Sequence, residues 1–149
     1  MLLNKTRSAQ YPLFAEFVAN FSDTMVDING VTKTFGSVFG DQGTFEVINL
    51  PQGAVPIGGE LIVETAGVGP TAYTVSVGTA GALTSLLAAT SILATGRTAL
   101  TGLGLASAAN SGANVQIAIA STVANATAGK FRVRIFYTID GRANEVVPN

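Results

Sequence analysis

The stretch "AGKFRVRIFYTI", residues 128–139, decides the fold. Phe131, Val133, Ile135, Tyr137 and Ile139 occupy alternate positions, with Lys130, Arg132 and Arg134 between them. Successive side chains of a strand point to opposite faces, so one face of this segment is apolar and the other cationic. That period marks a half-buried strand of an antiparallel sheet; on a helix the same residues would be scattered around the whole surface. Asp140-Gly141 follows, the dipeptide preferred in type I′ hairpin turns. "RANEVV" therefore reads as a returning strand, with Arg142 and Glu145 on opposite faces and Pro148 ending it at an edge.

Similar segments recur upstream. "GTFEVINL" (43–50) precedes a loop, "PQGAVPIGG". "ELIVETA" (60–66) and "TAYTVSVG" (71–78) are separated by "GVGP", and "NVQIAIAS" (114–121) places Val115, Ile117 and Ile119 on one side. Short alternating strands punctuated by Gly and Pro predict an all-β sandwich or barrel. Residues 83–105 are ambiguous: Leu83, Leu86 and Leu87 fit a helical turn and a half, while the Thr and Ser content fits strands as well; a short helix or turn is expected at 83–89, then a strand over Arg97–Leu103. Residues 1–40 differ in character. They carry Phe14, Phe17, Phe21, Phe35 and Phe39 without a long alternating run. They read as an extended N-terminal arm with one or two short strands, Phe17, Ala19 and Phe21 sharing a face and Asn29-Gly30 forming a turn. The chain thus divides into an arm at 1–40 and a β-sandwich at 41–149. The arm's Phe residues need a surface to cover them, on this body or on a neighbour.

Composition narrows the function. A chain of 149 residues is long enough to bury a sizeable core without disulfides, and there is no Cys to make them. There is no His either, which removes the usual base near neutral pH and the commonest zinc ligand. Charged residues form 11% of the chain, against about 25% in an average soluble domain. With a net charge of −1 and mean hydropathy of +0.44, the surface repels its neighbours weakly and attracts nucleic acid weakly. So low a charge predicts a protein that hides much of its exterior in an assembly. The apolar opening stops at Leu3, so no secretory signal is expected, and no apolar run is long enough for a membrane helix.

No catalytic or cofactor motif survives inspection. "SILATGRT" lacks the first Gly and the Lys of a phosphate loop, and "GLGLAS" lacks the third Gly of a dinucleotide fingerprint. Glu60 and Glu64 share a strand face about 13 Å apart. Glycoside hydrolysis wants its two acids about 5–9.5 Å apart. Glu46 has no local partner, and Asp23, Asp27, Asp41 and Asp140 form no ligand-rich loop. The triplets at Asn4, Asn20 and Asn125 match the glycosylation pattern by chance in a Ser- and Thr-rich chain. Neither cofactor nor metal is expected. Lys130, Arg132 and Arg134 stand about 6.6 Å apart, near a phosphate repeat, yet three charges in a chain of net charge −1, with few aromatics available for stacking, make a poor nucleic-acid site. Glu60, Ile62 and Glu64 offer a complementary acidic row, so the cations are expected to tie strand to strand or subunit to subunit.

Three stretches carry a resemblance: "FEVINLPQGAVPIGGELIVETA" (45–66), "YTVSVGTAGALTSLLAATSILATGRTAL" (73–100) and "TAGKFRVRIFYTIDGRANEVV" (127–147). Together they resemble virion structural proteins of tailed bacteriophages, more narrowly the small capsid cement, or decoration, proteins with a jelly-roll body. The resemblance implies a jelly-roll-like β-sandwich on the outer surface of the phage head, often a homotrimer. It would clamp neighbouring major capsid proteins against internal DNA pressure, with no direct nucleic-acid or membrane partner. On this view Phe14, Phe17 and Phe21 anchor the arm, while Arg132, Arg134 and Arg142 meet carboxylates of adjacent subunits. A tail or head-fibre component is the nearest alternative. A carbohydrate-binding module is a more distant one, because the chain has no Trp and three Tyr to build an aromatic platform.

Overall fold

The structure, a computed structural model, describes residues 12–102 and 114–139. Ten strands make up its regular structure, with no helix among the described residues: β1 (Leu13–Asn20), β2 (Thr24–Val26), β3 (Thr32–Thr34), β4 (Thr44–Ile48), β5 (Ala54–Val68), β6 (Ala72–Thr79), β7 (Ala82–Ser91), β8 (Gly96–Ala99), β9 (Val115–Thr122) and β10 (Ala128–Ile139). Two four-stranded antiparallel sheets, ordered β1-β10-β5-β8 and β4-β9-β6-β7, form a β-sandwich. A small β2–β3 hairpin stands apart from both sheets.

The alternation in β10 sets the first sheet. Phe131, Val133 and Ile135 are fully or almost fully buried and oppose Leu61 and Val63 of β5 and Phe17 and Ala19 of β1. The second sheet answers with Phe45, Tyr73, Val75, Val77, Val115 and Ile117, so both inner faces merge into one core. Burying a Val, Leu, Ile or Phe side chain contributes about 1.5–3 kcal/mol, and this shared interior drives the pairing of the sheets.

Several expectations are corrected. Residues 83–89 are not helical but lie in β7, where register shifts opposite Val75–Thr79 let the adjacent Leu86 and Leu87 both face inward. The strand expected at Arg97–Leu103 is shorter, Gly96–Ala99, after which Leu100 turns into the core. The loop expected at 51–59 is mostly strand, since β5 begins at Ala54. Leu13–Asn20 is an integral sheet strand, paired along its whole length with β10. Asn29-Gly30 does form the β2–β3 turn: Gly30 has φ 81°, and its N–H donates to the Asp27 carbonyl at 3.0 Å. The Asp140-Gly141 turn and the return strand bearing Arg142, Glu145 and Pro148 lie outside the described residues.

The excursion from Phe21 to Gly43 is tied down from within. Phe35 is buried, packing edge-on against Phe45 at 4.7 Å and against Phe17 at 6.0 Å. The Tyr73 hydroxyl, deep in the core, donates to the Phe35 carbonyl at 2.5 Å, and burial pushes its pKa up to about 12. Gly36 sits where any side chain would strike the Tyr73 ring.

Candidate interaction surface

The outer face of the β1-β10-β5-β8 sheet carries an unbroken alternation of charge. Lys130 Nζ lies 2.8 Å from Glu64, and Glu64 also meets Arg132. Arg132 Nη1 donates to Glu16 Oε1 at 2.9 Å, while Arg134 donates to Glu16 Oε2 from Nε and Nη2 at 3.0 and 2.8 Å. Arg134 Nη1 is 3.8 Å from Glu60, which accepts from Arg97 Nη1 at 3.3 Å. The order Lys130–Glu64–Arg132–Glu16–Arg134–Glu60–Arg97 crosses all four strands, and four cations against three anions leave it at +1.

Strand geometry explains the ladder. Arg134 faces Glu16 on one side and Glu60 on the other in direct register, and the two-residue period brings Arg132 between Glu16 and Glu64. The inner side chains of the ladder are only about a quarter exposed, which shields them in part from solvent. Hydrogen bonding from Arg134, with help from Arg132, holds the Glu16 carboxyl below its ordinary pKa against the opposing effect of desolvation. Lys130 and Arg132 do the same for Glu64.

The expected residues therefore separate. The acidic row of Glu60 and Glu64 meets the cationic row inside one chain. Arg132 and Arg134 have their carboxylates at home, and Arg142 lies outside the described residues. Phe17 and Phe21 pack partly buried against the core, whereas Phe14 is 64% exposed on the ladder face, its ring 6.0 Å from the Arg134 guanidinium. Glu16 is the ladder residue that local reading misses, because its partners lie 116 and 118 residues away. The signal that points to it is its position out of phase with Phe17 and Ala19, which puts it on the outward face.

Elsewhere the acids serve turns. Asp27 accepts from the N–H groups of Asn29 and Val31, both at 2.9 Å, and the bond from Val31 is the chief cause of its lowered pKa. Asp23 accepts from Asn20 N–H at 2.8 Å. An open cleft of about 450 Å³ lies between β1 and the hairpin, with Phe17, Met25 and Phe35 on its walls and Asp23 as the titratable residue lining it.

The fold is similar to that of a chain in a solved structure described as the Cyanophage Pam1 capsid asymmetric unit. The TM-score is 0.57 and the identity 22%, over 93% of this chain and 97% of that one. No family model and no curated protein matches the sequence. At this identity the likeness speaks for the fold.

Proposed function

We propose that the chain is a virion structural protein of a tailed phage, a decoration or cement protein that binds the outer surface of the head and ties neighbouring major capsid proteins together. The observation that carries this reading is the likeness to a chain of a phage capsid asymmetric unit across nearly the full length of both chains. Near-complete coverage of both means that the neighbour is itself a small all-β unit, a size suited to dressing a shell. The strand orders β1-β10-β5-β8 and β4-β9-β6-β7 support a jelly-roll reading, since an early strand alternates with a late one in each sheet.

Mechanistically, a protein that binds the assembled shell and not its separated subunits stabilises the shell by mass action. A homotrimer multiplies the effect, since three linked footprints raise effective concentration without any one being tight. Phe14, exposed on the ladder face, is an apolar group available for a neighbour. Arg132 and Arg134 reach a second subunit only if its carboxylates compete with Glu16, Glu60 and Glu64.

Two measurements test the reading. Light scattering on the purified protein should give three times the 15.1 kDa chain mass. Cryo-electron microscopy of heads with and without the protein should show added density outside the shell. Density confined to the tail would overturn the head assignment.

A further inference from the structure

The sandwich has two ends, and they are chemically unlike. β1 ends at Asn20 opposite Lys130, β5 ends at Val68 opposite Ala128, and β6 begins at Ala72 opposite Thr122. The excursion 21–43 and the loops 69–71 and 123–127 therefore gather at one end. They are braced there by backbone bonds: Ala126 N–H to the Gly36 carbonyl and Thr127 N–H to the Val68 carbonyl, both at 2.8 Å, with Phe39 N–H to Asn125 Oδ1 at 2.7 Å. Gly69, at φ 113°, lets the middle loop approach the Asn125 carbonyl more closely than a side chain would allow.

On this braced end Val38 and Phe39 are each 49% exposed, Val68 53% and Val123 72%. The hairpin beside them adds Val26, Ile28 and Val31, each about half exposed. Seven of the eleven large apolar side chains exposed among the described residues thus share one end. Val123 also sits at φ 75°, a left-handed conformation that is a genuine outlier for a β-branched residue, and its side chain points at solvent. The Ala124 N–H donates to the Thr122 carbonyl at 3.0 Å across it, a strained three-residue turn that holds this apolar side chain outward. Among the described residues the charges of the same end are Asp23, Asp27 and Asp41 against Lys33, a net of −2, with Asp27 buried in its turn and Asp41 paired with Lys33, whereas the ladder carries +1.

We infer that this loop end is the docking face, and that its partner is a shell-protein surface apolar at the centre and basic at the rim. The inference rests on the capsid reading above and assigns it a side: the three loops meet the shell, and the ladder face does not.

The test uses heads of the phage that carries this chain, prepared without it, and the full-length protein. Phe39→Asp combined with Val123→Asp should weaken binding at least tenfold. Ile57→Asp, an equally exposed apolar site at the opposite end, should leave binding unchanged. Val123→Gly covers the risk that the double variant misfolds: glycine accepts the backbone angle, so the melting temperature should hold or rise while binding weakens. Full binding by the double variant, with wild type also bound, overturns the docking assignment and leaves the capsid reading standing. Wild-type protein that binds no head overturns both.

Discussion

Arg134 and Glu16 face each other across β10 and β1, and two nitrogens of the guanidinium donate to a single carboxylate oxygen at 3.0 and 2.8 Å. The same carboxylate's other oxygen takes Arg132. Glu16 is thus the centre of the ladder, and β1 is held to β10 by charge on the outside and by Phe17 and Ala19 on the inside.

Replacing Glu16 by Gln should lower the melting temperature more than Arg97→Gln does. The first change strips carboxylate contacts from two partly shielded cations, while Arg97 is a terminal and well-exposed member. High salt should shrink the difference, since screening weakens whatever solvent reaches. Equal losses in thermal melts at low salt would deny Glu16 its central place.

Acid should loosen the same sheet. Glu16 and Glu64 titrate below their ordinary value in the folded protein, so unfolding takes up protons once the pH falls into the carboxylate range. Stability is fully present above the unfolded pKa and is lost as pH drops through the folded one. Urea midpoints measured from pH 6 downwards should fall, and the fall should be smaller in Glu16→Gln.

Alkali acts through Tyr73. With its pKa pushed up to about 12, the folded state keeps a proton that the unfolded chain releases near pH 10. Stability should hold below pH 10 and then decline by roughly 2–3 kcal/mol towards pH 12, at 1.36 kcal/mol per unit. Tyr73→Phe should remove most of that slope. At neutral pH it should cost about 1–3 kcal/mol, because the Phe35 carbonyl loses its buried donor.

The two faces of the first sheet should respond unequally to truncation. Ile135→Ala opens a cavity at a fully buried position and should cost about 2–5 kcal/mol in denaturant unfolding. Phe14→Ala, on an exposed side chain, should stay within about 0.5 kcal/mol of wild type.

What the sequence disclosed depended on regularity. β10 was legible because its alternation runs unbroken from Lys130 to Ile135, and its cations pointed to Glu60 and Glu64 because those residues share its two-residue period. β7 was misread because a register irregularity turns Leu86 and Leu87 inward together, and two adjacent apolar residues imitate a helical face. The Phe-rich start read as an arm because nothing local shows that Phe35 lies between Phe17 and Phe45. Glu16 had no visible partner for the same reason. The exposed loop end was invisible as a unit, since residues near 38, 68 and 123 meet only once the sheets are stacked.

β10 also sets a timetable. It lies between β1 and β5, yet the ribosome makes it after every other described strand. Until it emerges, β1 lacks the strand it pairs with among the described residues, and Leu61 and Val63 lack Val133 and Phe131 beside them. The first sheet therefore closes late, through contacts between distant parts of the chain, the kind of topology that folds in milliseconds to seconds. A nascent chain stopped before Phe131 holds most of the residues of this protein and cannot complete its first sheet.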